Sequence, residues 1–392
     1  MTLLDGFEFS ALRELLGTLN ADGWLLYDFH GNNPTATRVL GIRGMGTRRF
    51  FVMLPRSGKP VAIAHKIELA SFEGFPGDVR PYAAWSELHD NLRALVSDKT
   101  LAMEVSPADA VPYVDRVPHG VIQLIESFGA RVVSSGTLVS RFAARWSARE
   151  LAGHRRAAEA LATIGVEALR WAGAELAAGK EVRETAVQAR VMDAFARAAL
   201  VTDHPPIVGF QENAANPHYE PRAGADRPLA SGDVLLLDLW AGVEPGTVFA
   251  DQTWMAYAGR TPGPEERKIW ETVRAARDAA VSLVKARWGK QPVTGAALDD
   301  AARDVIRGAG YGEFFVHRTG HSIDRDLHGS GPHLDNFETA DDRLLIPGIG
   351  FSVEPGIYLP GRVGMRTEIN VYLGEAGPEV TPARPQQDLL LV

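Results

Sequence analysis

Two stretches of strand-forming sequence carry like charges where a buried strand should carry none. The first runs from Val234 to Tyr257 and holds Asp238 and Asp251 on either side of the turn Gly242-Val-Glu-Pro-Gly246. The second runs from Phe351 to Leu373 and holds Glu354 and Glu368 on either side of Leu359-Pro-Gly-Arg-Val363. Leu235, Leu236, Leu237, Phe351 and Val353 flank these acids and mark both stretches for burial. The midpoint between the aspartates falls between Glu244 and Pro245, and that between the glutamates falls on Gly361. Symmetric hairpins would make each pair direct cross-strand neighbours, with Cβ atoms about 5 Å apart. Arg366 lies two residues before Glu368 and so shares its face. Pro355 cannot donate to a ladder, so its strand is at an edge or kinked there.

Like charges directly opposite one another destabilise a sheet. One such pair is most simply two solvated carboxylates on an outer face. Two pairs on apolar strands call for a compensating cation. Two divalent ions would neutralise four carboxylates, and hard oxygen ligands with one imidazole suit Mn²⁺, Co²⁺ or Zn²⁺. Two such ions, about 3.5–4 Å apart, can clamp a hydroxide and polarise a carbonyl together. Six of the eleven histidines lie between residues 204 and 333, beside these hairpins. Spacing alone does not say which of them joins the carboxylates. His30, His65, His89 and His119 are scattered and read as surface or locally bonded side chains. The chain has no cysteine, which excludes thiolate ligands, thiol nucleophiles and disulfides and fits a reducing compartment.

At 392 residues the chain has room for two domains, with a boundary expected near 146. Residues 1–146 alternate short strands (Trp24–Tyr27, Phe50–Leu54, Val61–Ala64) with helices (Trp85–Val96, Val114–Phe128), an α/β pattern with its own core. Residues 147–392 open on a capping box, Ser147-Ala-Arg-Glu150, leading a helix that ends at Gly179. A helix from Val182 to Leu200, a strand Pro206–Phe210 and the Asp238 hairpin follow. Helices Pro264–Trp288 and Thr294–Gly308 then precede the Glu354 hairpin. Helix, helix, hairpin occurs twice, an internal repeat of about 110 residues. The N-terminus, MTLLDGFEFS, lacks the pattern of a signal peptide, and no run is long enough to cross a bilayer. A net charge of -8 argues against a nucleic-acid surface. The expectation is a soluble, cytoplasmic protein.

The order Asp238, Asp251, His321, Glu354, Glu368 resembles the ligand set of the pita-bread metallopeptidases, the family of methionine aminopeptidase, aminopeptidase P and prolidase. The resemblance covers about residues 150–392. DGWLLYDFHGNNP similarly resembles the opening strand of the N-terminal domain found in the prolidase, aminopeptidase P and creatinase branch. The resemblance implies an α/β creatinase-like N-terminal domain and an α+β pita-bread catalytic domain with a pseudo-twofold repeat. It implies that Asp238 chelates one metal, that Asp251 and Glu368 bridge two, and that His321 and Glu354 hold the second. A bridging water would be the nucleophile and Glu354 its general base. His218, in Asn216-Pro-His-Tyr, matches a histidine that contacts substrate or shuttles a proton. His317 and His328 match two more near the scissile bond, and Arg366 an arginine that orients ligand carboxylates.

Two departures bear on the pocket. Asp238 and Asp251 are 13 residues apart, wider than in many relatives, and Ser-Ile-Asp324-Arg325 follows His321 where many have small residues. The expected activity is hydrolysis of Xaa-Pro bonds with two divalent ions, Mn²⁺ foremost, either of dipeptides (a prolidase) or at peptide N-termini (an aminopeptidase P). The rival readings are a non-catalytic binding protein on the same fold and a metal-free creatinase-like hydrolase. Both predict missing acidic ligands, and none is missing. Relatives imply small proline-containing peptides as partners and a homodimer or higher homo-oligomer.

Overall fold

The run Gly23–Asp28 is apolar without alternation, as suits a strand covered on both faces. In the computed structural model, which describes residues 3–44 and 46–392, it is strand β1, buried along its whole length. The first two residues of MTLLDGFEFS lie outside those described. The N-terminal unit continues through α1 (Phe9–Thr18), α2 (Pro34–Leu40), β2 (Phe50–Pro55), β3 (Val61–His65), β4 (Asp78–Tyr82) and α3 (Trp85–Val96). It closes with β5 (Thr100–Met103), α4 (His119–Ser127), β6 (Arg131–Ser134) and α5 (Gly136–Phe142). Six strands form one mixed sheet in the order β4-β3-β2-β1-β5-β6. Trp24 and Leu26 enter one core while Leu25 and Tyr27 enter another, so β1 feeds both faces. Buried Glu104 accepts hydrogen bonds from Trp24 Nε1, Asn33 Nδ2 and Ser135 Oγ, which satisfy it within the unit.

The helix expected over Val114–Phe128 begins only at His119. Pro118 sits at its N-cap, where a missing N–H costs nothing; further inside, its ring would break the helix. Among the scattered histidines, His65 accepts from the Ile67 amide and His89 packs edge-on against Trp85 and Phe128.

The chain divides into two units, Met1–Ala143 and Ala144–Val392. The second opens on α6 (Ala148–Ala177), whose Ser147 and Glu150 form the expected capping box. Then come α7 (Glu184–Arg197), β7 (Ile207–Phe210), β8 (Val234–Ala241) and β9 (Ala250–Tyr257). After these the order recurs: α8 (Pro264–Arg287), α9 (Gly295–Gly308), β10 (Ser322–Ile323), β11 (Gly350–Val353), β12 (Gly356–Leu359), β13 (Val363–Arg366) and β14 (Ile369–Gly374). Strands β15 (Gly377–Thr381) and β16 (Leu390–Leu391) complete two sheets, β16-β9-β8-β7 and β10-β11-β14-β15, beside the β12-β13 ribbon. In each sheet a short lead-in strand pairs with the first hairpin strand and a late strand pairs with the second. The bridges Arg183↔Pro228 and Thr294↔Leu344 repeat at the same place ahead of α7 and α9. The doubled helix-helix-hairpin pattern is thus a structural repeat.

Each half buries one face of its hairpin against its own helices. Leu235, Leu237 and Leu239 of β8 join Leu161 and Leu169 of α6 in one core. Val234 and Leu236 face the other way, into the core shared by α8, α9 and the second hairpin. Period-two alternation then carries Asp238 to the side of the second half.

His154 of α6 is fully buried, its Nδ1 3.0 Å from the Phe249 carbonyl oxygen and its Nε2 2.8 Å from Thr381 Oγ1. A carbonyl only accepts, so Nδ1 carries the proton and Nε2 accepts from the hydroxyl. Burial lowers this imidazole from 6.5 to about 4. Between those values the unfolded chain holds a proton that the folded one refuses. The stabilisation is therefore complete above the unfolded value and is lost as pH falls through the window. Urea titrations should show unfolding free energy falling between pH 6.5 and 4 more steeply in the unaltered protein than in His154→Gln, by up to about 1.4 kcal/mol per pH unit. Equal slopes would contradict this account.

Candidate metal centre

Asp238 on β8 and Asp251 on β9 are not direct neighbours as symmetry about the turn suggested. Asp238 pairs with Thr253, and Asp251 with Trp240. The ladder closes at Ala241↔Ala250, which centres the connection between Pro245 and Gly246, one residue later than the midpoint of the aspartates. The two acids become diagonal neighbours on one face, roughly 7–8 Å apart at Cα. Thr253 takes the place directly opposite Asp238. The wider spacing of the aspartates thus shifts the register without turning either acid to the other face.

The second hairpin keeps the expected register. Val353 pairs with Ile369 and Gly356 with Arg366, so Glu354 and Glu368 occupy matching positions in the break between the two ladders. Pro355 makes that break, because it has no N–H to offer. The expected single hairpin is therefore two short ladders in one register, with its turn at Gly361 in a left-handed conformation, φ +69.

Close approach of backbones completes the enclosure. A Cβ on Gly320 would lie 2.0 Å from the Ser352 carbonyl oxygen, so only glycine lets the His321 segment lie on β11. A Cβ on Gly364 would lie 1.9 Å from the Ala214 carbonyl oxygen, where the 3-10 turn Gln211–Ala215 rests on β13.

These elements bring Asp238, Asp251, His321, Glu354, Glu368 and Arg366 together, all but Glu354 fully buried. His321 Nε2 lies 3.3 Å from Asp251 Oδ2 and 3.5 Å from Glu354 Oε1. Its Nδ1 is 3.1 Å from its neighbour's carbonyl oxygen, at Ser322, so Nδ1 carries a proton and Nε2 is the nitrogen turned toward two carboxylates. Arg366 donates through Nη2 to Asp238 Oδ2 and through Nε to Thr253 Oγ1 at 2.9 Å, and its Nη1 lies 3.9 Å from Glu354 Oε2. The Thr253 hydroxyl in turn donates to Glu368 Oε2 at 2.8 Å. Arg366 and Glu368, expected on one face, meet through that hydroxyl.

One guanidinium does not balance four carboxylates, and the surplus is visible in proton affinities. Burial, with the added repulsion of Asp251 and Glu354, pushes Asp238 up to about 7 against the pull of Arg366. Burial raises Asp251 as well, and burial with three neighbouring acids raises Glu368 far above the carboxylate range. Burial works against Glu354 too, but His321 and Arg366 outweigh it and hold Glu354 at about 2. His321 is raised: burial opposes its proton, while Asp251 and Glu354 favour it more. Asp238 Oδ1, Asp251 Oδ1 and Glu368 Oε1 are buried without any hydrogen-bond donor. Three orphaned carboxylate oxygens, with the His321 imidazole in the same cluster, form a donor set that fits hard divalent cations. Asp251, His321 and Glu368 each offer a ligand atom within 4.8 Å of the others.

The remaining expected residues sit around this cluster. The His328 ring lies 4.3 Å from that of His321, centroid to centroid, and is exposed at the rim. His218 is exposed on the segment after the Gln211–Ala215 turn, near enough to disfavour a proton on His328. His317 is held neutral by burial, at about 4, with Nδ1 2.7 Å from the Arg318 carbonyl oxygen and Nε2 accepting from the Tyr358 hydroxyl at 2.8 Å. Both its nitrogens are engaged within the protein. Asp324 turns into its own loop, accepting from the Asp326 and Ser330 amides, while Arg325 pairs with Glu150 at 2.7 Å. The unusual pair after His321 thus shapes the loop that carries His328.

Thr253, Ser352, Asn370 and Tyr358 were not singled out from sequence. Ser352 Oγ accepts from the His321 amide and donates to Glu354 Oε1, and Asn370 Oδ1 accepts from the Asp251 amide. The first three stand two residues from Asp251, Glu354 and Glu368, so strand periodicity could have found them.

Comparison with known proteins bears on what this centre is. The family model described as metallopeptidase family M24 matches residues 152–375, more than half of the chain. The chain belongs to metallopeptidase family M24. It is 37% identical to the Xaa-Pro dipeptidase of Lactobacillus helveticus over 165 residues, 41% of this chain and 40% of that one. It is 27% identical to the probable dipeptidase PepE of Mycobacterium bovis over 334 residues, 83% of this chain and 81% of that one. The crystal structure of dipeptidase PepE from Mycobacterium ulcerans superposes with a TM-score of 0.73 at 25% identity, covering 98% of this chain and 96% of that one. As an M24 protein the chain is a hydrolase of a metal-dependent family, and its second unit has the pita-bread fold of that family. Among the described residues no helix is long and apolar enough to cross a membrane.

Glu368→Ala would remove one orphaned oxygen and the acceptor of Thr253 at once. Bound Mn²⁺, measured by elemental analysis after dialysis, should fall below half its original content while the circular dichroism spectrum is retained. Unchanged metal content would exclude Glu368 from the donor set.

Proposed function

We propose that this chain is an Xaa-Pro dipeptidase that uses two divalent cations, Mn²⁺ by preference. The reading rests on one observation above others: Asp238, Asp251 and Glu368 each keep a buried carboxylate oxygen without a donor, in the same cluster as the His321 imidazole. Asp238, Asp251, His321, Glu354 and Glu368 would hold the ions. When bound, such an ion pair supplies an acidified water and polarises a carbonyl. The chain's own residues then have distinct tasks. Glu354, ionised at neutral pH, can take up a proton at a carboxylate oxygen. Arg366 holds Asp238 in orientation by a charge-assisted hydrogen bond. Neutral His317 orients the Tyr358 hydroxyl, and His218 and His328 at the rim meet the peptide. The same reading expects small proline-containing peptides as substrates, a creatinase/prolidase-like α/β domain over residues 1–146, a cytoplasmic setting and at least a homodimer.

The test is to strip the protein of metal, restore Mn²⁺, Co²⁺ or Zn²⁺, and compare Xaa-Pro with Xaa-Pro-Yaa. The dipeptide should be cleaved faster, with about two ions bound per chain. The opposite preference would make the protein an Xaa-Pro aminopeptidase, and no cleavage of either peptide by the metal-loaded protein would sink the proposal. His218→Ala should keep its metal content and lower turnover by about 10²-fold. Loss of metal in that variant would move His218 into the donor set.

A further inference from the structure

The segment 315–319 leads into His321 but belongs to no strand of either sheet, although Phe315, Arg318 and Thr319 are buried. Its backbone groups must find partners elsewhere. The Arg318 amide donates to Glu338 Oε1 at 2.7 Å and the Thr319 amide in part to the Leu334 carbonyl oxygen at 3.1 Å, and the others named here meet two side chains of α9. Arg303 donates through Nη1 to the Phe315 carbonyl oxygen at 3.1 Å and through Nη2 to the His317 carbonyl oxygen at 2.8 Å. Asp299 Oδ1 accepts from the Thr319 amide at 2.9 Å and from the Thr319 hydroxyl at 2.7 Å. The residues served are 315, 317 and 319, the period-two set that an adjoining strand would serve. Asp299 and Arg303 are also paired to each other one helical turn apart, at 3.0 and 3.1 Å.

The pair is enclosed. Asp299 is fully buried and Arg303 nearly so. The Arg303 guanidinium lies 4.2 Å from the centroids of both the Phe315 and Phe337 rings. Asp299 Oδ2 further accepts from the Asn336 amide at 3.1 Å, which ties down the segment carrying Phe337. Beyond the clamp, the Thr319 carbonyl oxygen accepts from the Glu354 amide at 2.7 Å, and the His321 carbonyl oxygen accepts from the Ser352 amide at 2.9 Å. A displacement of the 315–319 backbone would thus pass to His317, His321 and Glu354 together.

We propose that Asp299 and Arg303 are a positioning pair for the metal centre, standing in for a missing strand to fix His321 and Glu354 in donor geometry. The inference rests on the metallopeptidase reading above. Arginine is needed for this task because its planar fork reaches a carboxylate and two carbonyl groups at once; lysine cannot.

The test compares Arg303→Lys and Thr319→Val with Ile306→Val, a change to the buried face of the same helix. Each is measured for Tm, for Mn²⁺ affinity by calorimetry and for kcat and KM on an Xaa-Pro dipeptide. Arg303→Lys should bind Mn²⁺ about 10–100-fold more weakly, with kcat reduced and KM little changed. Thr319→Val should shift both in the same direction by less. Ile306→Val should lower Tm without moving Mn²⁺ affinity, which separates positioning from general loosening. Wild-type Mn²⁺ affinity and kcat in both clamp variants would overturn the proposal, and if Arg303→Lys fails to fold, Thr319→Val decides alone. No Mn²⁺ binding by the unaltered protein would overturn the metallopeptidase reading and the clamp with it.

Discussion

Four carboxylates drawn into one buried cluster, with a single arginine among them, set the terms for the catalytic half of this protein. Uncompensated burial of that much like charge is far too costly for a marginally stable fold. The chain meets part of the cost itself. Arg366 pairs with Asp238, and proton uptake is favoured on Asp251, Glu368 and His321. What it leaves unmet, the orphaned oxygens of Asp238, Asp251 and Glu368, is the part a divalent cation would meet.

The location of the cluster follows from the repeat. Each hairpin turns one face to its own helices and the other to the opposite half. Alternating residues divide strictly between these tasks: Leu235, Leu237 and Leu239 go to α6, while Asp238 goes to the seam. Around the acids, contacts between the halves are made by polar side chains, chiefly Asn370 on the Asp251 amide and Thr253 between Arg366 and Glu368. Hydrogen bonds of this kind are directional, and they fix acid positions more tightly than apolar packing would.

A second layer of buried ion pairs works at a distance from the acids. Asp299 and Arg303 serve the segment before His321. Asp341 and Arg343 do similar work on the far side of the His328 loop, where Arg343 holds the Ser330 and Gly331 carbonyl oxygens. Such pairs contribute little net stability, since desolvation offsets much of their attraction. Their evident effect here is to hold irregular backbone in one conformation around a site that tolerates little movement.

Much of this was legible in the residues alone. Strand periodicity and turn residues located both acidic hairpins, and capping chemistry located α6. The symmetry of Glu354 and Glu368 about Gly361 gave their register, because a short turn leaves little freedom. Composition and spacing thus determined the elements, their repetition and the face each acid occupies, all of which follow from local geometry. Three things waited for the tertiary structure. The longer connection after β8 could close at more than one register, and packing chose the one that sets Thr253 opposite Asp238. Pro118 shortened a helix that periodicity alone would extend. The side chains that complete the site, among them Tyr358, Asn370, Arg303 and Asp299, act across large sequence separations. Only for Asn370 did strand periodicity offer a mark; the partners of the others become neighbours only when the chain packs.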